Sequence, residues 1–193
     1  MSLEAEILEC PNCGASIERQ QKICSYCQSP VFIRRRVDIS SFKTKDLNKY
    51  VQFYKNYMQQ AKGESAEIHT SLGICLLEKN AYNEAIKHLE KAAELMPETG
   101  ECFYYLALAK LQCKRPYLHT LPNIKQIVQY LETALEYEEA GRYYYLLYLI
   151  QIDFYDKKHL RNGKIASEFK NLALSCEVDD QDIAECNVYC NLK

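Results

Sequence analysis

Apolar side chains recur at helical spacing along most of the chain beyond residue 45. Phe53, Tyr54, Tyr57, Met58 and Ala61 fall on one face of a helix predicted from Lys45 to Lys62, ended near Gly63. From Ala66 the period continues through "AEIHTSLGICLLEKNAYNEAIKHLEKAAELMP". There Leu72, Gly73, Leu76, Ala85, Leu89 and Ala92 face inward from two helices joined by the turn "EKNAYNEA", and Pro97 stops the second helix. A second pair starts at Gly100, with Phe103, Leu106 and Ala107 in the corresponding places. It is interrupted by "CKRPYLHTLPN", where Pro116 and Pro122 prevent a helix from running through, and resumes with Leu131 and Ala134. A third pair starts near Gly141 with Leu147 and carries the insertion "DKKHLRNG" before Ala166, Phe169 and Ala173. The last element opens with Asp179 and has Asp182 three residues on, an acidic start that suits the helix dipole.

The segment 66–97 resembles a tetratricopeptide repeat, a unit of 34 residues with two antiparallel helices and small residues where they cross. Gly73 and Ala85 stand at the crossing and Ala92 faces the next repeat, while His69 replaces the usual large residue at the fourth place. The resemblance implies a mainly α fold: a tetratricopeptide-type α-α superhelix of about three helical hairpins, with a lead-in helix and a C-terminal helix that caps the stack. It also implies a concave face lined by the first helix of each repeat. Its lining would be Thr70, Ile74 and Leu77, then Tyr104, Tyr105 and Leu108, then Tyr145 and Leu149. The family's carboxylate-gripping members place Lys, Asn and Arg there, so that role is not expected. An apolar, Tyr-rich groove for a protein or peptide partner is expected instead. The same tyrosines would serve equally to fill the repeat interfaces.

The front of the chain follows a different pattern. "CPNCGASIERQQKICSYC" holds two Cys-x-x-Cys pairs, Cys10–Cys13 and Cys24–Cys27, with ten residues between them. Each pair makes a tight knuckle that points two sulfurs at one place, and Gly14 and Gln28 occupy the positions after the knuckles where φ turns positive. Four thiolates match a tetrahedral, closed Zn²⁺ site, and the spacing resembles a short zinc ribbon. So few large apolar residues lie between 7 and 33 that the metal must supply folding free energy, on the order of 10 kcal/mol. The expected organisation is a zinc ribbon over 1–34, a basic linker over 35–44 and a helical array over 45–193.

Composition refines the picture. The net charge is −2, with ten Lys/Arg against three Asp/Glu over residues 17–62. Arg34, Arg35 and Arg36 lead that basic stretch and are the candidate phosphate contacts of an alternative reading, a nucleic-acid-associated regulator. Met1–Glu9 has three Glu and no apolar stretch of signal-peptide type, and no apolar run reaches membrane-spanning length, so a cytoplasmic protein without membrane association is expected. Cys75, Cys102, Cys113, Cys176, Cys186 and Cys190 read as small apolar residues. No Gly-rich phosphate loop, nucleophile elbow or His-Glu-x-x-His appears, and the four His are scattered. The expected function is that of a non-enzymatic adaptor or scaffold, with the array binding a protein or peptide and the ribbon offering a second contact surface. Oligomeric state is left open, with self-assembly through the ribbon or an apolar end face as a further alternative.

Overall fold

The computed structural model describes residues 9–18, 21–59 and 65–192. They divide into two units, Met1–Pro97 and Glu98–Lys193. The first holds the two cysteine knuckles and helices α1 (Thr44–Gln59), α2 (Ala66–Glu78) and α3 (Tyr82–Leu95). The second holds α4 (Gly100–Leu111), α5 (Leu121–Tyr137), α6 (Gly141–Ile150), α7 (Ala166–Ser175) and α8 (Asp180–Tyr189). Three helical hairpins, α2–α3, α4–α5 and α6–α7, carry the mainly α fold. None of the described helices is long and apolar enough to cross a membrane.

In the first unit the Ser65 side chain caps α2 by accepting the Ile68 amide at 3.2 Å. The α2–α3 hairpin closes because Gly73 has no side chain: a Cβ there would lie 2.6 Å from Leu89 Cγ. Leu72, Leu76, Ala85, Leu89 and Ala92 are buried as their spacing predicts. His69 is buried too, with its Nδ1 3.0 Å from the Nδ1 of His88 across the hairpin. The inward face of α1 is Leu47, Tyr50, Val51, Tyr54 and Tyr57, while Phe53 and Met58 are half-buried. The expected end of α1 at Lys62–Gly63, and Ala61, lie outside the described residues.

The structure shows its own division. The boundary between units falls at Pro97, and the knuckles share a unit with α1–α3. Nor is 35–44 an open linker. Arg36–Ile39 forms a 3-10 turn with Ile39 buried, and Asp38 Oδ2 accepts the amides of Arg34 and Arg35 at 2.9 Å each. Tethering by a carboxylate and an apolar anchor replaces the freedom that basic composition alone suggests.

The second unit repeats one device. Gly100 and Gly141 each open the first helix of a hairpin. A Cβ on Gly100 would lie 2.7 Å from the Ala134 carbonyl oxygen of α5. On Gly141 it would lie 2.6, 2.7 and 2.8 Å from backbone atoms of Val178, Cys176 and Ala173. Backbone cannot move aside as a side chain can, so both places require glycine. Tyr148, which stands where a small residue is usual, is half-buried; its ring centre lies 5.7 Å from Tyr145 and 5.9 Å from the Lys170 ammonium.

The interruption after α4 is tied down by one acid. α6 runs on as a π-helical stretch, Gln151–Asp156, that buries Asp153 completely. Its carboxylate accepts from the Arg115 guanidinium, from Lys157 Nζ at 2.6 Å and from the Tyr117 amide at 3.1 Å. The short 3-10 turn Pro116–Leu118 is thereby held against α6. α8, read from its sequence as an end cap, packs across α4 and α6, the first helices of this unit's two hairpins.

Two outcomes follow for this unit. Gly141→Ala should cost about 1–3 kcal/mol in urea unfolding, the range for overpacking a site that cannot relax. A cost near zero would contradict the close approach. Burial by itself would raise the Asp153 pKa, but the bonds from Arg115, Lys157 and the Tyr117 amide outweigh it and hold the pKa below the usual carboxylate range. The stability this contributes is full above the unfolded-state pKa of about 4 and is lost as pH falls through the lower folded value. Asp153→Asn should therefore melt lower than wild type at neutral pH, with the difference shrinking as pH drops below about 4. A difference independent of pH would contradict the ion cluster.

Candidate metal centre

Two knuckles with the same pattern of backbone hydrogen bonds build the centre. In the first, the Gly14 amide donates to Cys10 O at 2.9 Å and the Cys10 amide donates to Ala15 O at 2.8 Å. In the second, Gln28 donates to Cys24 O and Cys24 to Ser29 O, both at 2.9 Å. The residue after each knuckle is left-handed, Gly14 at φ +73° and Gln28 at φ +56°. An isolated bridge closes the base of each, Glu9 with Ser16 and Ile23 with Pro30.

The turns bring Cys10, Cys13, Cys24 and Cys27 together, with all four Sγ atoms within 4.8 Å of one another. Cys10 Sγ lies 3.6 Å from Cys27 Sγ, and Cys13 Sγ lies 3.8 Å from Cys24 Sγ. Four sulfurs at about 2.3 Å from a central ion sit about 3.8 Å apart, so the donor set has the size of a tetrahedral metal–thiolate site. Cys10 and Cys24 are buried, Cys27 is half-buried and Cys13 is exposed. Burial pushes the Cys10 thiol up to about 12. Burial acts upward on Cys27 too, but the Ser29 hydroxyl and amide and the neighbouring thiols bring it down to about 6. Thiolates packed this close would repel one another, so ionising all four calls for a cation among them.

The outer shell belongs to residues that spacing did not single out. Asn12 Nδ2 donates to Ser29 Oγ at 2.8 Å and lies 3.9 Å from Cys27 Sγ, bridging the two knuckles. Lys49 Nζ of α1 reaches the backbone and side-chain oxygens of Asn12 at 3.3 and 3.1 Å. Through Asn12, Lys49 ties α1 to the first knuckle beside the sulfur cluster.

The chain leaving the second knuckle is docked on the helices. Tyr50 Oη donates to Pro30 O at 2.5 Å, and Tyr54 Oη to Val31 O at 2.7 Å. Ser71 Oγ accepts the Ile33 amide at 2.9 Å and donates to Ile33 O at 3.1 Å. Val31 and Ile33 are buried among them. Burial raises the pKa of both tyrosines above the ordinary value. Beside this seam lies a cleft of about 410 Å³ lined by Lys22, Ile23, Pro30, Phe32, Arg34 and Arg35, and Tyr26 projects from the second knuckle with three quarters of its surface exposed.

The other expected site residues are placed differently from expectation. Arg36 pairs with Glu78 of α2, and Arg34 with Glu67 at 3.4 Å, while Arg35 lines the cleft with Arg34. Lys55 likewise pairs with Glu84 at 2.9 Å. Of the groove residues in the first unit, Ile74 and Leu77 are buried and Thr70 is half-buried. In the second, Tyr104, Tyr105, Leu108 and Leu149 are buried and Tyr145 is half-buried. Among the described residues, α2 and α4 are apolar on nearly every side and buried on nearly every side, so most of the residues assigned to the groove are covered. On α4 the cover includes α8, since Tyr104 Oη lies 3.4 Å from Cys186 Sγ.

A four-thiol centre docked on α1 and α2 is thus what the residues define. No protein-family model matches the chain, and no curated protein matches it. Among solved structures, the one described as "Crystal structure of MamA" is similar over 75% of this chain and 85% of that one, at 19% identity and a TM-score of 0.47.

Tyr54→Phe tests the docking. It leaves the buried Val31 carbonyl without its donor and should cost about 1–3 kcal/mol of first-unit stability, measured by hydrogen exchange of α1 and α2 amides. Unchanged protection would mean that the contact holds nothing.

Proposed function

We propose that this chain is a non-enzymatic adaptor, in which one structural zinc ion folds a ribbon that the helices present to a partner protein. Cys10, Cys13, Cys24 and Cys27 hold the ion. Four thiolates leave no position for water or substrate, so the metal's part is to close the fold. The observation that carries the reading is the seam from Tyr50, Tyr54 and Ser71 to Pro30–Ile33, which fixes the ribbon as one face of a helical unit. A rigid, metal-closed face loses little freedom when a partner binds.

The partner contact we assign to the ribbon is its cleft. Ile23 and Phe32 line it with apolar surface, and Lys22 and Arg35 line it with cations beside Asp38, while Arg34 is shared with Glu67. That chemistry suits a protein segment with an apolar side chain beside a carboxylate. A nucleic-acid contact through Arg34, Arg35 and Arg36 draws less support, because Arg34 and Arg36 already face carboxylates of α2.

The test is affinity capture from the native cell with the full chain and with an Ile23→Glu/Tyr26→Glu variant. Both side chains are more than half exposed, so the variant keeps its fold and metal. Partner retained on the variant should fall at least about tenfold, as for loss of apolar anchors at an interface. Equal capture would remove the ribbon as the contact, and capture abolished by nuclease would reinstate the nucleic-acid reading.

A further inference from the structure

Two segments of the second unit differ in charge from the rest of it: residues 113–125, after α4, and 157–164, after the π-helical stretch. Over 98–193 the chain carries eleven Lys/Arg against fourteen Asp/Glu. Three of those cations fall in 113–125 and four in 157–164, and neither segment holds an acid. A unit that is acidic as a whole thus keeps seven of its eleven cations in two short stretches.

The fold brings the two segments together. Each follows the first helix of a hairpin, and the 3-10 turn Pro116–Leu118 packs on the π-helical stretch. Buried Asp153 accepts from Arg115 of the first segment and from Lys157 of the second. Lys158 Nζ donates to His119 O at 3.2 Å and lies 4.9 Å from the centre of the Tyr117 ring. Lys114, Lys125, Arg161 and Lys164 are exposed.

The same segments hold apolar side chains in water. Leu118 is 68% exposed, Tyr117 45%, Leu160 39% and Leu121 38%. Leu118 is not there because its turn is loose. Asp153 takes the Tyr117 amide at 3.1 Å, and the Leu118 and His119 amides close on Arg115 O and Pro116 O at 2.9 and 3.0 Å. A closed turn anchored on a buried carboxylate therefore presents Leu118 and Tyr117 among cations.

A surface that is cationic and apolar at once is satisfied by a partner that is anionic and apolar at once. Nucleic acid fits poorly, since it offers nothing to Leu118 and Lys158 already lies over the Tyr117 ring, where a base would stack. A folded acidic protein would need a pocket shaped for Leu118. A bilayer with anionic headgroups needs none: its headgroup–acyl boundary yields to a projecting side chain while cations stay among the headgroups. We propose that these paired segments are a contact for an anionic lipid surface, with Leu118 and Tyr117 entering the boundary and Lys114 and its neighbouring cations lying on the headgroups. The expectation of no membrane association rested on the lack of a spanning run, and a contact of this kind needs no spanning helix. The inference goes beyond the adaptor reading and does not rest on it.

Co-sedimentation of the full-length chain with vesicles tests it, using phosphatidylcholine alone and equal parts phosphatidylcholine and phosphatidylserine. The protein should bind the mixed vesicles, at least about tenfold more weakly without phosphatidylserine, and the binding should fall as salt rises. Leu118→Gln changes a side chain that is mostly in solvent, so it should keep the melting temperature and weaken binding about tenfold. Lys114→Gln should weaken it about fivefold. Leu174→Gln, at a leucine of α7 that is 62% exposed, should change nothing. No binding, equal binding to both vesicle types, or a loss as large in Leu174→Gln as in Leu118→Gln would overturn the proposal. So would binding that Leu118→Gln leaves intact, since charge alone would then account for it. A chain that ignores the vesicles but is retained by poly-glutamate or a single-stranded oligonucleotide would also overturn it, and would make the segments a contact for a soluble polyanion.

Discussion

The first unit depends on how four residues of backbone, Pro30 to Ile33, are satisfied once they leave the second cysteine knuckle. Val31 and Ile33 are buried, so their carbonyls and amides leave water, and the ribbon takes up the Val31 amide, on Lys22 O at 2.9 Å, but not the carbonyls. Helix side chains do so instead: Tyr50 on Pro30, Tyr54 on Val31, and Ser71 on both polar groups of Ile33. Each bond is worth about 1 kcal/mol when made and more when left unmade in the interior. Everything on the metal side of this seam is too poor in apolar residues to fold without its thiol cluster. Everything on the helix side has tyrosines whose buried hydroxyls need acceptors. The two halves complete each other, which explains why the chain divides at Pro97 and not after the ribbon.

The second unit solves a different problem. Its hairpins close through glycine at the first position of α4 and of α6, where the neighbouring backbone leaves no room for Cβ. Its two interruptions are then loops that must be held. Asp153 holds one of them by presenting a buried carboxylate to Arg115, Lys157 and a backbone amide at once. The ion cluster and α8 both rest on α6, which makes that helix and its π-helical extension the organising element of this unit.

How much of this was legible in the sequence followed from how local each signal is. The knuckles were readable because Cys-x-x-Cys and the residue after it fix the turn without outside help. The hairpins were readable because the helical period and the small residues Gly73, Ala85 and Ala92 lie within one repeat. The docking seam was not readable, since Tyr50, Tyr54 and Ser71 look like ordinary helix residues and their partners are carbonyls and an amide, which every residue has. Asp153 offered a missed clue: a single acid in the apolar run "YYYLLYLIQIDFY" must find cations from elsewhere in the chain. The groove residues were assigned from repeat position alone, and position does not say what covers a face. The pattern of Cys186, Tyr189 and Cys190 suits a helix lying on α4 and α6 as well as one ending a stack.

The central claim is that the thiol centre and the first helices form one folding unit. Hydrogen exchange of α1, compared between protein loaded with one zinc ion per chain and protein stripped by chelator, tests it most directly. The account predicts that stripping the metal removes protection from the Tyr50–Tyr57 amides together with the ribbon's own, and that restoring zinc returns both. Protection of α1 unchanged by metal removal, or a chain that binds no zinc at all, would contradict it.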